Sequence, residues 1–239
     1  MEINIAVLYP DLLNLYGDKG NIITLKKRLE TRGISAKVTE YSIDDNIDFS
    51  STDIVYIGGG SDREQLLVCK KLCEIKEELK AYVEDGGSVL AVCSGFQLLG
   101  NYYETENEKI EATGILDIYT THSKERLIGD IILQSPYINS TIVGFENHSG
   151  RTNIGSCTPL GSVTCGYGNN GSKDYEGVVY KNVIATYIHG PLLPKNPILA
   201  DKILLNAINK KYGISELEKI DDTFEIVAHN YILEKYQSE

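Results

Sequence analysis

The stretch GGSVLAVCSGFQLLG (86–100) decides the fold, because it has the pattern of a buried strand that turns sharply into a helix. SVLAV (88–92) is a continuous apolar run, as expected for a strand covered on both faces of a parallel sheet. Gly95 leaves room for the turn, and FQLLG begins a helix. Cys93 therefore lies at a strand-to-helix corner, either as a small core residue or as a nucleophile raised at the turn.

Strands and helices alternate on either side of this stretch. The patterns predict strands at 3–9, 36–43 and 52–60, a helix at 21–33 and one long helix at 62–87. From about Thr113 to Tyr187, short strand-like pieces alternate with turns, and helices are expected at 196–213 and 214–237. This order predicts an α/β fold with a mostly parallel central sheet, helices on both faces and an antiparallel extension. We expect a single domain over residues 1–239, with the C-terminal helices starting at about 196.

The composition limits the classes of function. The 239 residues carry a net charge of −11 and no Lys/Arg cluster, so we expect no nucleic-acid partner. No run approaches the roughly 18 apolar residues of a membrane span, and MEINIAVLYP lacks the basic start of a signal peptide. The five cysteines are irregularly spaced and suggest neither a disulfide framework nor a zinc site. We expect a reduced, cytoplasmic protein without a bound metal.

Two further strand ends carry chemistry. Gly58, Gly59 and Gly60 follow one strand, and three glycines can bring backbone N–H groups close to a substrate. One of them could join the Ser94 amide in an oxyanion hole. His189 ends the later apolar strand in NVIATYIHG. Ligands bind at the carboxyl ends of strands in such sheets, so Cys93 and His189 are predicted to form a nucleophile–base pair. The amino end of the helix after Cys93 favours the thiolate.

These motifs resemble a known family. VCSGFQLLG, the glycine triplet and the strand-end HG are similar to the elbow and base motifs of class I glutamine amidotransferases, in the cobyric-acid-synthase-like branch. LYPDLLNLYGDKGN (8–21), RLIGD (126–130), GFENHSGRT (144–152) and YIHGPLLPKNP (187–197) resemble the glutaminase subunits of lipid II isoglutaminyl synthases. The resemblance spans nearly the whole chain and implies a flavodoxin-like glutaminase domain.

The resemblance also implies roles for individual residues. Cys93 would be the nucleophile and His189 the base, Gly60 and Ser94 would be backbone oxyanion donors, and Arg126, Gln97 and Gly59 would bind L-glutamine. A guanidinium suits the α-carboxylate of glutamine, although a surface salt bridge is the alternative role for Arg126.

The resemblance further implies a Mur-ligase-like partner subunit that uses ATP and magnesium to amidate D-glutamate of lipid II. The chain itself has no G-x-x-x-x-G-K-[ST] motif for ATP, and we expect no cofactor in it. Three alternatives stay open: an amidotransferase for another acceptor such as a cobyrinic acid, a stand-alone γ-glutamyl cysteine hydrolase, and a non-catalytic module. The acceptor rests on the resemblance alone.

One position departs from the family pattern. Many class I amidotransferases have a Glu two residues after the catalytic His, where this chain has Pro191. Glu146, Asp174 and Glu176 are possible acids in cis, and no spacing favours any of them. The resemblance suggests instead that the partner supplies the carboxylate.

Several other polar residues are expected to be structural. ENHSGRT is predicted to form an ordered polar loop, in which His148 has a loop or interface role more than a catalytic one. YGDKGN (16–21) is expected to cap the first helix through Asp18 and Asn21. His122 and His229 have no companion residues and are taken as structural or surface histidines.

Overall fold

A computed structural model describes residues 1–14 and 19–237. The strands are β1 (Glu2–Leu8), β2 (Ser35–Tyr41), β3 (Ile54–Ile57), β4 (Ser88–Val92), β5 (Tyr102–Glu104), β6 (Lys109–Glu111), β7 (Ile118–Ser135), β8 (Ser140–Ile154), β9 (Thr158–Cys165), β10 (Tyr175–Tyr180), β11 (Val183–Thr186) and β12 (Ile188–His189). The α-helices are α1 (Lys19–Thr31), α2 (Asp62–Glu74), α3 (Lys76–Glu84), α4 (Ser94–Leu98), α5 (Pro197–Tyr212) and α6 (Thr223–Gln237). Short 3₁₀ turns cover Phe49–Ser51 and Leu193–Lys195.

The strands form one mixed sheet in the order β12-β8-β7-β9-β10-β11-β4-β3-β1-β2, and β5 and β6 lie off this path. The five strands from β11 to β2 pair in parallel. The strands from β12 to β11 pair antiparallel. The predicted α/β architecture, with a parallel centre and an antiparallel extension, is confirmed.

Helices cover both faces of the parallel centre. In β3, Ile54 and Tyr56 join the apolar cluster that includes buried residues of α1 and α5, whereas Val55 and Ile57 join the cluster that includes those of α2, α3 and α4. This burial on both faces is why the central strands have continuous apolar sequences. Each fully buried aliphatic side chain contributes about 1.5–3 kcal/mol to the free energy of unfolding.

Two predictions about elements are wrong, and the helix expected at 214–237 begins only at Thr223. The helix expected at 62–87 is divided into α2 and α3 at Ile75, where φ is −108° and ψ is 15°. The apolar spacing continues through the break and therefore does not reveal it. The predicted ENHSGRT loop is part of β8, which pairs with β7 along its length apart from a bulge between His122 and Leu127. These two strands have 15 and 18 residues, longer than the short pieces expected from the sequence.

The start of α1 also differs from the prediction. Asn21 is fully buried inside the helix, where its Oδ1 accepts the Leu193 N–H at 2.9 Å and its Nδ2 donates to the Tyr56 hydroxyl at 3.2 Å. It thus ties α1 to the turn after β12 and does not cap the helix. The expected cap at Asp18 lies outside the described residues.

A buried ion-pair cluster fastens the C-terminal region to α1. Arg28 is 4% exposed and donates to both carboxylate oxygens of Asp201, at 2.7 and 2.8 Å, and to those of Asp222, at 2.5 and 3.0 Å. Bidentate pairing satisfies a buried guanidinium in the geometry it prefers. Across residues 1–14 and 19–237, no helix has both the length and the apolar character needed to cross a membrane.

Candidate active site

Cys93 occupies a strained corner between β4 and α4. Its φ of 54° and ψ of −107° lie in a region that residues other than glycine rarely adopt. The Cys93 N–H donates to the Thr186 carbonyl at 2.8 Å, and the Cys93 carbonyl accepts the Gln97 N–H at 3.2 Å. Neighbouring strand and helix therefore hold the strained backbone in place. Such strain is concentrated at functional sites, and this geometry is the one expected of a raised nucleophile.

Gly95 allows the corner to approach the end of β3. Its N–H donates to the Gly58 carbonyl at 3.1 Å. A Cβ at this position would lie 2.5 Å from the Ile57 carbonyl oxygen and 3.0 Å from that of Gly58. Only glycine fits here without moving the backbone, so Gly95 in the elbow motif has a direct steric reason.

The Ser94 side chain binds the glycine triplet. Its hydroxyl donates to the Gly60 carbonyl at 2.9 Å and accepts the Gly60 N–H at 3.0 Å. The Gly60 amide is therefore used within the protein in this conformation, and its predicted role as an oxyanion donor requires the hydroxyl to turn away. The Ser94 N–H, at the first position of α4, has no acceptor within the helix. The sequence indicated a role for the Ser94 amide but gave no signal for the hydroxyl bridge.

A cleft of about 470 Å³ opens beside Cys93. Its walls contain Cys93, Ser94, Gln97, Gly60, Ser61, Asp62, Arg63, Gln65, Arg126, Asn147, His148, Ser149 and Gly150. This volume lies within the roughly 300–1,000 Å³ of small-molecule sites. The cleft brings together the elbow, Gly60 of the glycine triplet and the β7–β8 hairpin, with polar groups that suit an amino-acid ligand, whereas Gly59 is not among its wall residues.

Arg126 reaches the cleft from the bulge in β7. Its Nε donates to the Asn147 side-chain oxygen at 3.0 Å and a terminal nitrogen donates to the Asn147 carbonyl at 3.1 Å. The side chain is exposed, and among the described residues no carboxylate forms an ion pair with it. The guanidinium is thus oriented by neutral partners and retains its charge for a carboxylate in the cleft.

Gln97 is held by a chain of hydrogen bonds below the cleft. Its Oε1 accepts from the Gln65 amide at 2.7 Å, and its Nε2 donates to the Tyr187 hydroxyl at 2.9 Å. That hydroxyl is 2.5 Å from the Thr152 hydroxyl, which is 2.7 Å from that of Thr120. Burial raises the pKa of Tyr187, so its phenol stays protonated at neutral pH. Both ends of the Gln97 amide have internal partners, so the chain fixes its orientation at the cleft wall.

His148 lies in the cleft wall on β8, not in a loop. Its ring stacks on Tyr187 with centroids 3.7 Å apart and planes 3° apart. Its Nδ1–H donates to the Gly150 carbonyl at 2.8 Å, and its Nε2 lies 3.6 Å from a Glu146 oxygen. Burial lowers the pKa of His148, so the ring is neutral at pH 7. His148 therefore supports the wall of the cleft through packing.

His189 lies on β12, which follows β11, and β11 is the strand that pairs with β4 before Cys93. Thr186 of β11 is paired with Val92 of β4, and β12 begins two residues later. His189 is 1% exposed and lies opposite Phe145 of β8. The β11–β12 segment thus leads from the neighbour of the Cys93 corner to β8, and His189 is not among the residues that form the walls of the cleft.

The three acids considered in cis are differently placed. Glu146 is fully buried and accepts the N–H groups of Tyr167 at 2.6 Å and Gly168 at 3.0 Å. Glu176 is fully buried and accepts from backbone and hydroxyl donors next to Tyr187. Asp174 is exposed. Both buried carboxylates therefore hold backbone turns.

Among the described residues, no cluster of three or more His, Cys, Asp or Glu side chains could hold a metal ion. His229 bridges α6 to the Thr141 hydroxyl at 2.7 Å and to the Lys195 carbonyl at 2.8 Å. His122 is half-buried, and its backbone N–H lies 3.4 Å from a Glu104 oxygen.

Sequence reasoning missed part of the cleft. Gln65 and Asn147 hold Gln97 and Arg126, and the hydroxyl of the buried Tyr187 accepts from the Gln97 amide. One signal was present in ENHSGRT, where Glu146, His148, Gly150 and Thr152 alternate with less buried residues. Alternate residues face the interior, as in any strand, but the interior ones here are mostly polar. A pattern of alternating hydrophobic residues is therefore not visible in the sequence.

Comparison with known proteins agrees with this geometry. The CobB/CobQ-like glutamine amidotransferase domain matches residues 4–197. A glutamine amidotransferase of Thermotoga maritima has the same fold, with a TM-score of 0.55 at 11% identity, over 96% of this chain and 93% of that one. The chain therefore belongs to the CobB/CobQ-like glutamine amidotransferases.

Two curated relatives define its place within that family. The chain is 46% identical to the glutamine-hydrolysing subunit GatD of lipid II isoglutaminyl synthase from Staphylococcus aureus strain N315, over 98% of this chain and 96% of the relative. It is 44% identical to the GatD subunit from Streptococcus pneumoniae strain R6, over 89% of this chain and 83% of the relative. Within the family, the chain groups with these GatD subunits, and the resemblance found in its motifs is confirmed.

Proposed function

We propose that the protein hydrolyses L-glutamine in the cleft beside Cys93 and delivers the ammonia to an ATP-dependent partner that amidates D-glutamate of lipid II to D-isoglutamine. The observation that carries the proposal is the strained Cys93 corner beside a polar cleft that contains an Arg126 guanidinium without an ion-pair partner among the described residues. The GatD relatives, named as glutamine-hydrolysing subunits of lipid II isoglutaminyl synthase, support the choice of acceptor.

The proposed reaction has two halves. His189 takes the Cys93 thiol proton, and the sulfur attacks the side-chain amide carbon of glutamine. The Ser94 N–H stabilises the oxyanion, joined by the Gly60 N–H once the Ser94 hydroxyl has turned away. His189 then gives the proton to the amide nitrogen, which departs as ammonia. A γ-glutamyl thioester remains on Cys93. Water, deprotonated by His189, hydrolyses the thioester and releases glutamate and the free thiol.

Substrate binding is assigned to three further groups around the cleft. Arg126 pairs with the α-carboxylate of glutamine, and the oriented Gln97 amide and the Gly59 backbone complete the site. Charge-assisted pairing with a guanidinium contributes about 1.5–3 kcal/mol to binding. This is enough to favour glutamine over a similar amide that has no α-carboxylate.

The partner is proposed to be a Mur-ligase-like subunit, MurT, that binds ATP and magnesium. We also propose that it supplies the carboxylate that orients His189. Pro191 stands at the usual position of that acid, both carboxylate oxygens of Glu146 accept backbone N–H groups, and Oε1 of Glu176 accepts the Tyr187 N–H. Hydrolysis by the isolated chain should then be slower than by the complex, and equal rates would refute this part of the proposal.

The proposed function is tested by co-expression of the chain with its candidate partner, followed by measurement of glutamine- and ATP-dependent amidation of lipid II. We expect amidation from wild type and none from Cys93→Ala or His189→Ala when glutamine is the nitrogen source. Added ammonia should restore amidation in both variants, because the acceptor half lies on the partner. Glutamine-dependent amidation by Cys93→Ala would overturn the mechanism.

A further inference from the structure

Glu176 is a buried acid that the proposed chemistry does not use. It lies on β10 with 0% exposure. Its Oε1 accepts the Thr186 hydroxyl proton at 2.5 Å and the Tyr187 N–H at 2.7 Å. Its Oε2 is buried and, within residues 1–14 and 19–237, has no hydrogen-bond partner. A carboxylate is costly to bury, so its contacts need a reason beyond filling space.

The contacts of Glu176 lie at the bend between β11 and β12. Thr186 ends β11, Ile188 begins β12, and Tyr187 forms the bend between them. The Thr186 hydroxyl, while it donates to Glu176, also accepts the Ile188 N–H at 3.0 Å. One carboxylate oxygen and one hydroxyl thus satisfy two successive N–H groups at the bend, those of Tyr187 and Ile188.

This bend supports both halves of the proposed catalytic pair. The Thr186 carbonyl accepts the Cys93 N–H at 2.8 Å and so helps to hold the strained corner. The Tyr187 ring packs on Phe96 of the elbow helix, with centroids 5.1 Å apart, and its hydroxyl holds Gln97. His189 follows two residues after Tyr187. A shift of the bend would therefore move the backbone that supports Cys93, the Tyr187 side chain that contacts Phe96 and Gln97, and the predicted base His189 together.

We propose that Glu176 is a positioning residue for glutamine hydrolysis, whose carboxylate fixes the 186–188 bend and thereby the relation between the Cys93 corner and His189. It acts on the backbone and does not serve as the acid behind the imidazole. The proposal rests on the proposed function of this site. It adds Glu176, a residue that lies outside both the elbow motif and the HG motif.

Two substitutions at one position separate hydrogen bonding from packing. Glu176→Leu fills a similar volume but removes the acceptor, whereas Glu176→Gln keeps an acceptor oxygen. Glutamine hydrolysis is measured with the full chain in complex with its ATP-dependent partner. We expect Glu176→Leu to lower kcat by about 10- to 100-fold with little change in KM, because misplacement of reacting groups by about 1 Å has an effect of that size. Glu176→Gln should stay near the wild-type kcat.

A matched control lies on the same strand. Val178 is fully buried in the apolar core, and Val178→Ala should lower the melting temperature without a comparable change in kcat. A second readout uses the full chain without the partner: the pH profile of Cys93 alkylation by iodoacetamide. We expect this profile to shift in Glu176→Leu, because the thiol and its base no longer keep their relation, and to stay unchanged in Val178→Ala.

Three results would overturn the proposal. A folded Glu176→Leu variant with wild-type kcat and alkylation profile would show that the 186–188 bend does not depend on the Glu176 carboxylate. Equal loss of kcat in Glu176→Gln and Glu176→Leu would show that the acceptor is not what matters. Equal loss in Val178→Ala at equal stability would reduce the effect to general destabilisation.

Two further arms keep the test decisive. If Glu176→Leu does not fold, Thr186→Val removes the hydroxyl link alone and should lower kcat by a smaller factor; no loss would overturn the proposal. If wild type shows no glutamine hydrolysis, the proposed function fails, while the alkylation profile still tests whether Glu176 positions the Cys93 corner.

Discussion

A methyl group added at Gly95 tests the architecture of the nucleophile corner directly. The Cβ of Gly95→Ala would lie 2.5 Å from the Ile57 carbonyl oxygen and 2.9 Å from the Ile57 Cγ2. Because the first of these atoms is backbone, a flexible side chain cannot relieve the contact. To reach an ordinary separation of 3.4 Å, the elbow must move away from the end of β3 by about 0.9 Å.

That displacement sets the size of the expected effects. Overpacking of this kind costs about 1–3 kcal/mol of unfolding free energy. A shift of about 1 Å in reacting groups can lower a rate about 100-fold. We therefore expect Gly95→Ala to remain folded with a reduced melting temperature and to lose about 100-fold in kcat for glutamine hydrolysis. Denaturant unfolding and initial-rate measurements on the complex check the two numbers.

Gly33→Ala is the matched control. Gly33 has φ +67° and no atom within 4 Å of an added Cβ, so the substitution strains the backbone far from the cleft. It should cost about 1–2 kcal/mol of stability and leave kcat unchanged. If Gly95→Ala keeps the wild-type kcat, or if Gly33→Ala loses as much activity, the steric account of the corner is refuted.

Three further predictions follow from other contacts. Arg126→Ala should raise KM for glutamine about tenfold or more with a smaller change in kcat, because the lost charge-assisted pair contributes about 1.5–3 kcal/mol to binding. Arg28→Ala should lower the unfolding free energy by about 3 kcal/mol, because it removes the buried partner of the Asp222 carboxylate and leaves Asp201 only its ion pair with Arg32, and hydrolysis below the melting temperature should persist. Burial raises the pKa of Glu176 to about 7, so the folded state binds a proton that the unfolded state releases near pH 4.5. Wild type should therefore lose up to about 3 kcal/mol as the pH rises from 4.5 through 7, and Glu176→Gln should not.

Each of these has a result that contradicts it. An unchanged KM in Arg126→Ala would remove the guanidinium from substrate binding; Arg126→Lys, which keeps charge but not the fork, should lie between the two. A melting temperature of Arg28→Ala equal to wild type would show that the cluster is not stabilising. If the stability difference between Glu176→Gln and wild type is the same at pH 5 and pH 8, Glu176 does not titrate in this range.

The parallel centre of the fold follows from local sequence patterns. β4 spans Ser88–Val92, as the apolar run between the paired glycines and Cys93 predicts. The Cys93 corner and the glycine triplet are predicted because strand ends in this class of sheet carry the chemistry; the cysteine alone could equally be a core residue, and the strand-end glycines and His189 favour the nucleophile.

The features that could not be predicted depend on tertiary partners. ENHSGRT forms a strand because β7 pairs with it and because a polar interior accepts Glu146 and His148. Asn21 has a residue type suited to a cap, yet its acceptor is used by Leu193, distant in sequence. The Ser94 hydroxyl reaches Gly60 only once β3 and β4 lie side by side. Local sequence preferences do not indicate these contacts, because each joins residues that are far apart in the chain.

The central claim is that Cys93 alone among the five cysteines is the nucleophile for glutamine. Cys69 and Cys157 are buried, and burial raises the pKa of both thiols, which makes them poor competitors. The most direct measurement is mass-spectrometric mapping of the adduct formed with a glutamine-analogue electrophile. We expect one adduct, on Cys93, that excess L-glutamine prevents and that Cys93→Ala abolishes. Labelling of another cysteine, or labelling of Cys93 that glutamine does not prevent, would contradict the account.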